Sequence, residues 1–285
     1  MLAPRRSMLP RATERLVLGK SGARVSPICL GITMSPDTVI TAYEAGVNFF
    51  FITADLHWPL YEPLRQGLAR LLDGAPSRRP ELTVGVVSYL DNPLFSALQF
   101  NEVIAAIPGL EYVDLAIAGA AATTDSFYSR LDSLMRARAR GHMGVRAIGT
   151  TFHQRPLALV ADHYDLLDIS YIRYNSAHPG ARHDLFPLFK PYRSSLVFNF
   201  KSVMSRVTPE MFGALNVPSS YWLPSPSDYY RFVLSRPEIN GILCSPLQPS
   251  EMKELVAALE RPPLTPEEED YMVWLSSAVH AAVLS

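Results

Sequence analysis

Two polar side chains with complementary chemistry follow one short apolar stretch of the sequence. Asp55 and His57 stand two residues apart, directly after the run 48–53 (NFFFIT). A carboxylate beside an imidazole fixes the ring tautomer and makes the ring a better proton acceptor near neutral pH. The spacing therefore predicts a general acid or base at His57 with Asp55 as its partner. A solvated pair in a loop is the alternative interpretation.

Two further groups that could carry proton or carbonyl chemistry follow other apolar runs. Tyr89 comes after 83–88, and a phenol at a pocket mouth can donate a proton when a neighbouring cation lowers its pKa. Lys201 comes after 195–200, and a lysine that loses its hydration there can form a Schiff base with a carbonyl. A packing tyrosine and a surface lysine are the alternatives. The predicted catalytic residues are thus His57, Asp55, Tyr89 and Lys201.

Other polar residues at the ends of apolar runs are suited to binding. Arg173 and Asn175 flank Tyr174, and the two-residue period of a strand places both on one face. Arg173 suits an anion or a carbonyl, whereas Asn175 is expected to shape the turn. The predicted substrate-binding residues are Trp58, Ser88, Thr151, Arg173, Asn175, Asn199 and Arg206; Asp91, Thr150 and His153 are further polar residues at these positions.

The sequence contains no recognised metal or nucleotide motif. His153, His178 and His183, taken with Asp184, lack a known ligand spacing, so no metal is predicted. A P-loop, GxGxxG and GxSxG are all absent. The cysteines, Cys29 and Cys244, form neither a CxxC pair nor a disulfide framework, which favours a reducing, cytoplasmic setting.

Composition limits the classes of partner. The 285 residues carry a formal net charge of −1, and 48% of them are hydrophobic, enough for a large core. Without a surplus of Lys and Arg, binding to nucleic acid or to an anionic membrane is disfavoured, and no apolar run is long enough to span a bilayer. The expected partner is a small-molecule substrate; the oligomeric state is left open. Residues 1–14 are basic and interrupted by proline, so a flexible tail is expected rather than a secretion signal.

The spacing of apolar residues predicts an α/β fold of one domain over 15–285. Eight short, almost continuously apolar runs alternate with helical patterns, and eight parallel strands close a (β/α)8 TIM barrel. Lys20-Ser21-Gly22 lies between two apolar pairs and predicts a β-hairpin that plugs the barrel bottom. Thr265-Pro266-Glu267-Glu268 has the capping pattern that opens a C-terminal helix. The predicted strands are 28–31, 48–53, 83–88, 112–118, 145–149, 167–172, 195–200 and 239–243.

Five segments together resemble the aldo-keto reductases. They resemble, in order, the family's opening hairpin, a helix–strand unit, its fifth strand, its sixth strand–loop–helix and its last barrel unit. The resemblance covers roughly 15–260 and implies a single barrel whose site lies at the carboxyl ends of the strands. The segments are LGKSGARVSP (18–27), AYEAGVNFFFITAD (42–55), GVRAIGTT (144–151), RYNSAHPGARHDLFPLF (173–189) and RFVLSRPEINGILCSPLQPSEMKELVAAL (231–259).

The resemblance does not extend to the family's catalytic tetrad. The family uses a Tyr proton donor, a Lys that lowers its pKa, an Asp paired with that Lys, and a His that orients the carbonyl. With Thr53-Ala54-Asp55 aligned to the family's Thr-Ala-Asp, the Asp position holds Ile52 and the Tyr position holds His57. The Thr-Lys that should end the third strand is replaced by Ser88-Tyr89, and Gly119 stands in place of the His.

The family's contacts to NADP(H) are also altered on this alignment. The Ser-Asn pair that holds the nicotinamide amide is Thr151-Phe152, the Gln of the sixth strand is Tyr171, and the stacking Tyr is Asn199. Glu251 stands near the 2′-phosphate position, where its charge would repel a phosphate.

Three hypotheses follow. The first is an enzyme that acts on a small carbonyl-containing metabolite by acid/base chemistry without a cofactor, by dehydration, isomerisation or cyclisation in specialised metabolism. The second is an NADP(H)-dependent oxidoreductase whose proton donor has moved to His57 or Tyr89. The third is a non-catalytic barrel that binds a ligand or a protein. The first is preferred because the strand ends supply acid and base groups whereas the cofactor contacts are altered.

Overall fold

A computed structural model places eight parallel strands in a closed barrel. Each strand pairs with its neighbours in chain order, and the last strand closes the ring against the first. It describes residues 4–53, 55, 57–90, 93–121, 124–139, 144–152, 158, 167–190, 193–218 and 220–284. The predicted TIM barrel is therefore confirmed. The barrel strands are β3 (Ile28–Leu30), β4 (Phe49–Thr53), β5 (Thr83–Ser88), β6 (Leu115–Ala121), β7 (Ala147–Phe152), β8 (Ile169–Arg173), β9 (Leu196–Phe200) and β10 (Gly241–Cys244).

Helices alternate with the strands and cover the outside of the barrel. The predicted capping box is present, because Glu268 N donates to Thr265 Oγ1 at 3.2 Å and Thr265 N donates to Glu268 Oε2 at 2.8 Å. No helix in the described part of the chain is long and apolar enough to cross a membrane. The helices are α1 (Pro36–Glu44), α2 (Glu62–Leu72), α3 (Pro93–Ala106), α4 (Thr124–Ala139), α5 (Ala181–Asp184), α6 (Pro209–Ala214), α7 (Pro226–Leu234), α8 (Pro249–Ala258) and α9 (Pro266–Leu284).

The amino-terminal hairpin closes the bottom of the barrel, as predicted. Its strands are β1 (Leu16–Val17) and β2 (Arg24–Val25). The turn lies against Asp168, the residue before β8, and Lys20 N donates to Asp168 Oδ1 at 2.7 Å. Gly19 has a φ of +51°, and a side chain there would overlap Asp168. Only glycine combines this backbone conformation with so close an approach.

The segment before the hairpin, expected as a flexible tail over 1–14, is described by the structure from residue 4. Residues 4–14 lie against the barrel, and the side chains of Leu9 and Ala12 are buried. Arg6 Nη2 donates to the carbonyl of Ile239 at 2.6 Å, just before β10. Proline and arginine made the segment look solvated, but its apolar residues are spaced so that they reach the barrel bottom.

A repeated side-chain bond joins the strands in pairs at the barrel bottom. An Asn or Asp immediately before each of β4, β6, β8 and β10 accepts the N–H of a residue at the start of the preceding strand or, for β4, just before it. Because this N–H lies at the end of the hydrogen-bonded strand pairing, the sheet itself offers it no acceptor, and the side chain supplies one. The four bonds are Ser26 N to Asn48 Oδ1 (2.7 Å), Val84 N to Asp114 Oδ2 (2.9 Å), Ile148 N to Asp168 Oδ2 (2.8 Å) and Val197 N to Asn240 Oδ1 (2.8 Å).

These bonds explain why β6 and β7 begin later than predicted. The apolar runs start at 112 and 145, whereas the strands start at Leu115 and Ala147. Asp114 is occupied by Val84 N–H and by the guanidinium of Arg79, at 2.8 Å. The two strands also end later than predicted, at Ala121 and Phe152 instead of 118 and 149.

Aromatic rings fill the barrel interior and form the floor of its mouth. Phe51 on β4 contacts Tyr171 on β8 with ring centroids 5.5 Å apart, and Tyr171 contacts Phe198 on β9 at 5.9 Å. Space for the rings comes from glycine: a Cβ on Gly241 would lie 2.5 Å from Cζ of Phe198. The absence of a side chain at Gly241 therefore lets the ring of Phe198 pack closely against the neighbouring strand.

Candidate active site at the barrel mouth

Asp55 and His57 form a hydrogen-bonded pair at the carboxyl end of β4. Asp55 N donates to Thr53 Oγ1 at 3.2 Å, and Asp55 Oδ1 in turn accepts from His57 N at 2.9 Å and from His57 Nδ1 at 3.0 Å. The carboxylate is 12% exposed and the imidazole 57% exposed. In the neutral ring this bond places the proton on Nδ1 and leaves the lone pair of Nε2 open to a reactant. The pair predicted from the sequence is present in the structure.

Tyr89 lies beside this pair. Its ring centroid is 5.8 Å from that of His57, with the two planes 54° apart. The ring also lies directly over Gly119 of β6, where an added Cβ would stand 2.5 Å from Tyr89 Cδ1. Gly119, the position aligned with the family's His, therefore cannot carry a side chain while the phenol keeps this place.

The environment of Tyr89 keeps its phenol neutral. Burial raises the pKa of Tyr89, the charge of Asp55 raises it further, and Arg130 opposes both. This differs from the sequence argument, in which a neighbouring cation lowers the pKa. A neutral phenol acts as a hydrogen-bond donor or a general acid rather than as a base.

Two residues at the mouth were missed by sequence reasoning. Tyr61 ends a 3-10 turn, Trp58–Tyr61, and is buried; burial raises the pKa of its phenol, with further contributions from Tyr89, Cys29 and Asp55. Arg130 on α4 donates to the carbonyl of Gly119. The apolar face of α2 made Tyr61 look like an ordinary core residue. No pattern in the sequence marks Arg130.

Arg173 is a cation on the opposite side of the mouth. β4 and β8 are diametrically opposed in the strand order of the barrel. Because Tyr171 points inward onto Phe51, the two-residue period directs Arg173 into the mouth above that ring pair. The side chain is half-buried. Among the residues that the structure describes, its guanidinium has no hydrogen-bond or ion-pair partner.

The neighbouring candidates have more limited access. Thr151 and Ser88 are buried near the mouth, and both have further interactions. Trp58 is half-buried because the guanidinium of Arg65 lies 3.4 Å from its ring centroid and Arg65 Nη1 donates to its carbonyl at 2.6 Å. Thr150 is fully buried, and its hydroxyl donates to Ala118 O at 3.2 Å.

Asn199, Asn175 and Lys201 are used to hold the loop after β9. Asn199 is fully buried, and its amide donates to the carbonyls of Ile172 and Tyr174 at 3.1 and 2.7 Å. Asn175 Nδ2 donates to Lys201 O at 2.9 Å, in keeping with the expected structural role. Lys201 has a φ of +63°, and its ammonium lies 5.8 Å from the centroid of Phe200. Within the described part of the chain, no bond links Lys201 to the Asp55–His57 pair.

Arg206 lines a cavity of about 290 Å3 that shares no lining residue with the Asp55–His57 pair, Tyr89 or Arg173. The cavity lies between the loop after β9, the start of α7 and the loop after β10, and it also contains Glu251 and Glu254. Glu251 Oε2 accepts the N–H of Leu247 at 2.6 Å, so an amide that could bind phosphate is already satisfied. Two carboxylates and one guanidinium disfavour a phosphate there.

The positions aligned with the family's nicotinamide contacts are buried. Phe152 packs against Phe127 with centroids 5.5 Å apart, and Tyr171 and Asn199 are inaccessible. On β4 the inward residue is Phe51, because it contacts Tyr171, whereas Ile52 is buried on the other face. Phe152 carries no polar side-chain atom, and the polar atoms of Thr151, Tyr171 and Asn199 are buried.

The remaining sequence candidates are histidines and an aspartate. His178 Nδ1 lies 3.2 Å from Asn175 Oδ1, within the turn after β8. His153 and Asp91 lie outside the described residues. Among the residues described, no group of three His, Cys, Asp or Glu side chains could hold a metal ion.

The fold is shared with solved aldo-keto reductases. One, from Bacillus halodurans in its holo form, superposes with a TM-score of 0.71 at 14% sequence identity, over 93% of this chain and 97% of that one. Another, from a Medee basin deep-sea metagenome library, gives a TM-score of 0.66 at 15% identity, over 93% and 96%. No protein-family model matches the sequence, and no curated protein does. The chain therefore has the aldo-keto reductase fold.

Proposed function

We propose that this chain is a divergent aldo-keto-reductase-like enzyme that acts on a small carbonyl-containing metabolite by acid/base chemistry without a redox cofactor. The observation that carries the proposal is the Asp55–His57 hydrogen bond of 3.0 Å beside the neutral phenol of Tyr89. In a barrel of this kind the reacting groups lie where strands end at the carboxyl face.

His57 acts as the base. Asp55 holds its Nδ1–H, so Nε2 takes a proton from the carbon next to the substrate carbonyl. The C–H electron pair becomes the π bond of an enol or enolate. When the carbon that loses the proton also carries a hydroxyl, the product is an enediol, and return of the proton to the former carbonyl carbon gives isomerisation. When a hydroxyl stands on the β carbon, its C–O bond breaks and it leaves as water with the proton that His57 took, which gives dehydration. Both steps balance without an oxidant or a reductant.

Tyr89 stabilises the oxygen on which charge develops. Burial and the charge of Asp55 both raise the pKa of its phenol, so the hydroxyl carries its proton and donates a hydrogen bond. Gly119 gives the ring the room to lie beside His57. The phenol thus supplies the polarisation that an acid/base reaction needs at the carbonyl oxygen.

Arg173 indicates the substrate class. A half-buried guanidinium that faces the mouth binds a carboxylate or a phosphate through paired N–H donors. Since Arg173 and His57 stand on opposed strands, the substrate spans the mouth with its anion at one end and its reacting carbon at the other. We therefore propose a small keto acid or a phosphorylated carbonyl compound.

An NADP(H)-dependent oxidoreductase with His57 or Tyr89 as proton donor is the second candidate. The shared fold and the holo form of the Bacillus halodurans structure favour it. Against it stand Glu251 and Glu254 in the cavity of Arg206 and the buried positions aligned with the nicotinamide contacts.

The proposal is tested by solvent-deuterium exchange at the carbon next to the carbonyl. Small 2-keto and 3-keto carboxylates are incubated in D2O with the protein and without nicotinamide, and exchange is followed by proton NMR. We expect catalysed exchange that falls about 10²–10⁴-fold in His57→Ala. The matched control is a methyl ketone of equal length without the carboxylate, which should exchange more slowly.

NADPH serves as the contrasting probe. Ligand at 100 times its dissociation constant adds about 2.7 kcal/mol to the free energy of unfolding. A clear NADPH-dependent rise in melting temperature, together with carbonyl reduction, would favour the oxidoreductase. Equal exchange by wild type and His57→Ala would remove the base from the proposal. No exchange with any carbonyl and no NADPH shift would favour the non-catalytic barrel.

A further inference from the structure

An exposed groove lined by aromatic rings lies between α9 and the loop before α7. Four residues define this aromatic groove, and two carboxylates stand at its rim. Its volume is about 520 Å3. Tyr221 and Trp274 remain 44% and 45% exposed, unusual for rings of this size on a monomer surface. The residues are Tyr221, Trp222, Tyr271 and Trp274, with Glu267 and Glu268 at the rim.

The four rings lie in two orientations, which meet at an angle and form a corner. Trp222 and Tyr271 are stacked with planes 23° apart, and Tyr271 and Trp274 are inclined by 37° with centroids 5.6 Å apart. Tyr221 stands across them, at 66° to Tyr271 and 62° to Trp274. Tyr271 OH donates to Trp222 O at 2.6 Å, which fixes the central ring. A ligand in this corner therefore meets π surfaces from two directions.

The charges around the groove are negative. Glu267 and Glu268 lie in the first turn of α9, and within the described residues neither forms an ion pair. Glu268 accepts the Thr265 N–H, which leaves its charge in place. Arg5, a cation whose charge acts on Glu267, is bound to Glu269 and to the carbonyl of Leu264. Aromatic faces with a carboxylate rim complement a positive charge that is weakly hydrated.

We propose that the aromatic groove binds an organic cation that carries an alkylated ammonium group. The ring quadrupoles attract the charge, the methyl groups replace water on the ring faces, and the carboxylates of Glu267 and Glu268 add a direct attraction. This binding site is independent of the proposed catalysis at the mouth, because it shares no residue with the Asp55–His57 pair, Tyr89 or Arg173.

Choline is the probe, and 3,3-dimethylbutan-1-ol, of the same shape without the charge, is its matched control. The chain has three tryptophans, so the indole N–H resonances of Trp222 and Trp274 report on the groove and that of Trp58 serves as an internal reference. We expect saturable shifts of the two groove resonances with choline. The neutral alcohol should bind roughly two- to fivefold more weakly, the factor that a cation–π contact at an exposed site contributes.

Variants separate recognition from folding. Trp274→Ala should abolish the saturable shift at Trp222, Trp274→Phe should retain most of it, and Glu267→Gln should weaken it. The control is Tyr128→Ala, which also replaces an exposed aromatic residue by alanine but lies on α4, outside the groove. It should leave choline binding unchanged. Equal binding of choline and the neutral alcohol, or no saturable shift, would overturn the proposal. So would a dimer in solution that Trp274→Ala dissociates, because a second copy would then occupy the groove.

Discussion

The two ends of the barrel differ in whether they leave polar groups without a partner. At the bottom, an Asn or Asp before every second strand accepts a backbone N–H of the neighbouring strand, and Asp114 also pairs with buried Arg79. At the mouth, the guanidinium of Arg173 and Nε2 of His57 form no bond within the described residues. A satisfied polar group stabilises the fold, whereas an open one is available to a ligand.

The largest effect that tests this difference is expected at the bottom. Asp114→Ala leaves buried Arg79 without its carboxylate partner, with only backbone carbonyls as acceptors, and leaves the Val84 N–H without its acceptor. We therefore expect the free energy of unfolding to fall by about 3–5 kcal/mol. Urea unfolding measures the change. The control is Asp37→Ala, which breaks an exposed pair with Arg70 and should cost no more than about 1 kcal/mol. Similar losses in both variants would contradict the structural role of the bottom.

Arg173→Met tests whether a mouth residue without a protein partner matters for ligand binding but not for stability. Because its guanidinium has no protein partner in the described residues, the free energy of unfolding should change by less than about 0.5 kcal/mol. Affinity for a small carboxylate should fall by about 1.5–3 kcal/mol, the range for a hydrogen bond to a charged group, as measured by calorimetric titration. Arg206→Met, in the separate cavity, should retain that affinity. A large loss of stability in Arg173→Met would show that the mouth, too, serves the fold.

Gly119→Ala tests the packing of Tyr89 within the mouth itself. The new methyl would lie 2.5 Å from the ring of Tyr89, and such overpacking costs about 1–3 kcal/mol of unfolding free energy. The control is Gly213→Ala in α6, where no heavy atom lies within 4 Å of the added Cβ. That change should be neutral or stabilising by up to about 1 kcal/mol, because alanine favours helix. Equal unfolding midpoints for the two variants would show that Tyr89 does not depend on the space at Gly119.

The sequence allowed the bottom and the mouth to be predicted to different degrees. Eight strands, the hairpin and the capping box at Thr265 follow from local periodicity and turn chemistry, and all are present. The Asp55–His57 pair was also predictable, because both residues belong to one turn. The bond from Asp114 to Val84 was not, because it joins residues 30 positions apart.

Long-range packing also explains the residues that sequence reasoning placed differently. Asn199 had the spacing of a mouth residue, but the strand alternation turns its side chain toward buried backbone carbonyls. The contact of Tyr89 with Gly119 joins two strands and depends on the closed barrel. Position relative to a strand end was therefore predictable, whereas the direction of a side chain required the register of the whole sheet.

The smallest expected effect concerns the proton on Tyr89. The Asp55 charge raises the pKa of Tyr89, so Asp55→Asn, which removes that charge, should lower it. The phenolate would then form at a lower pH than in the wild type. Ultraviolet difference titration of Asp55→Asn against the double variant with Tyr89→Phe isolates this one phenol among the 13 tyrosines. An unchanged or raised pKa would mean that the carboxylate acts on His57 alone, and the mouth would then contain two independent groups rather than one coupled acid/base site.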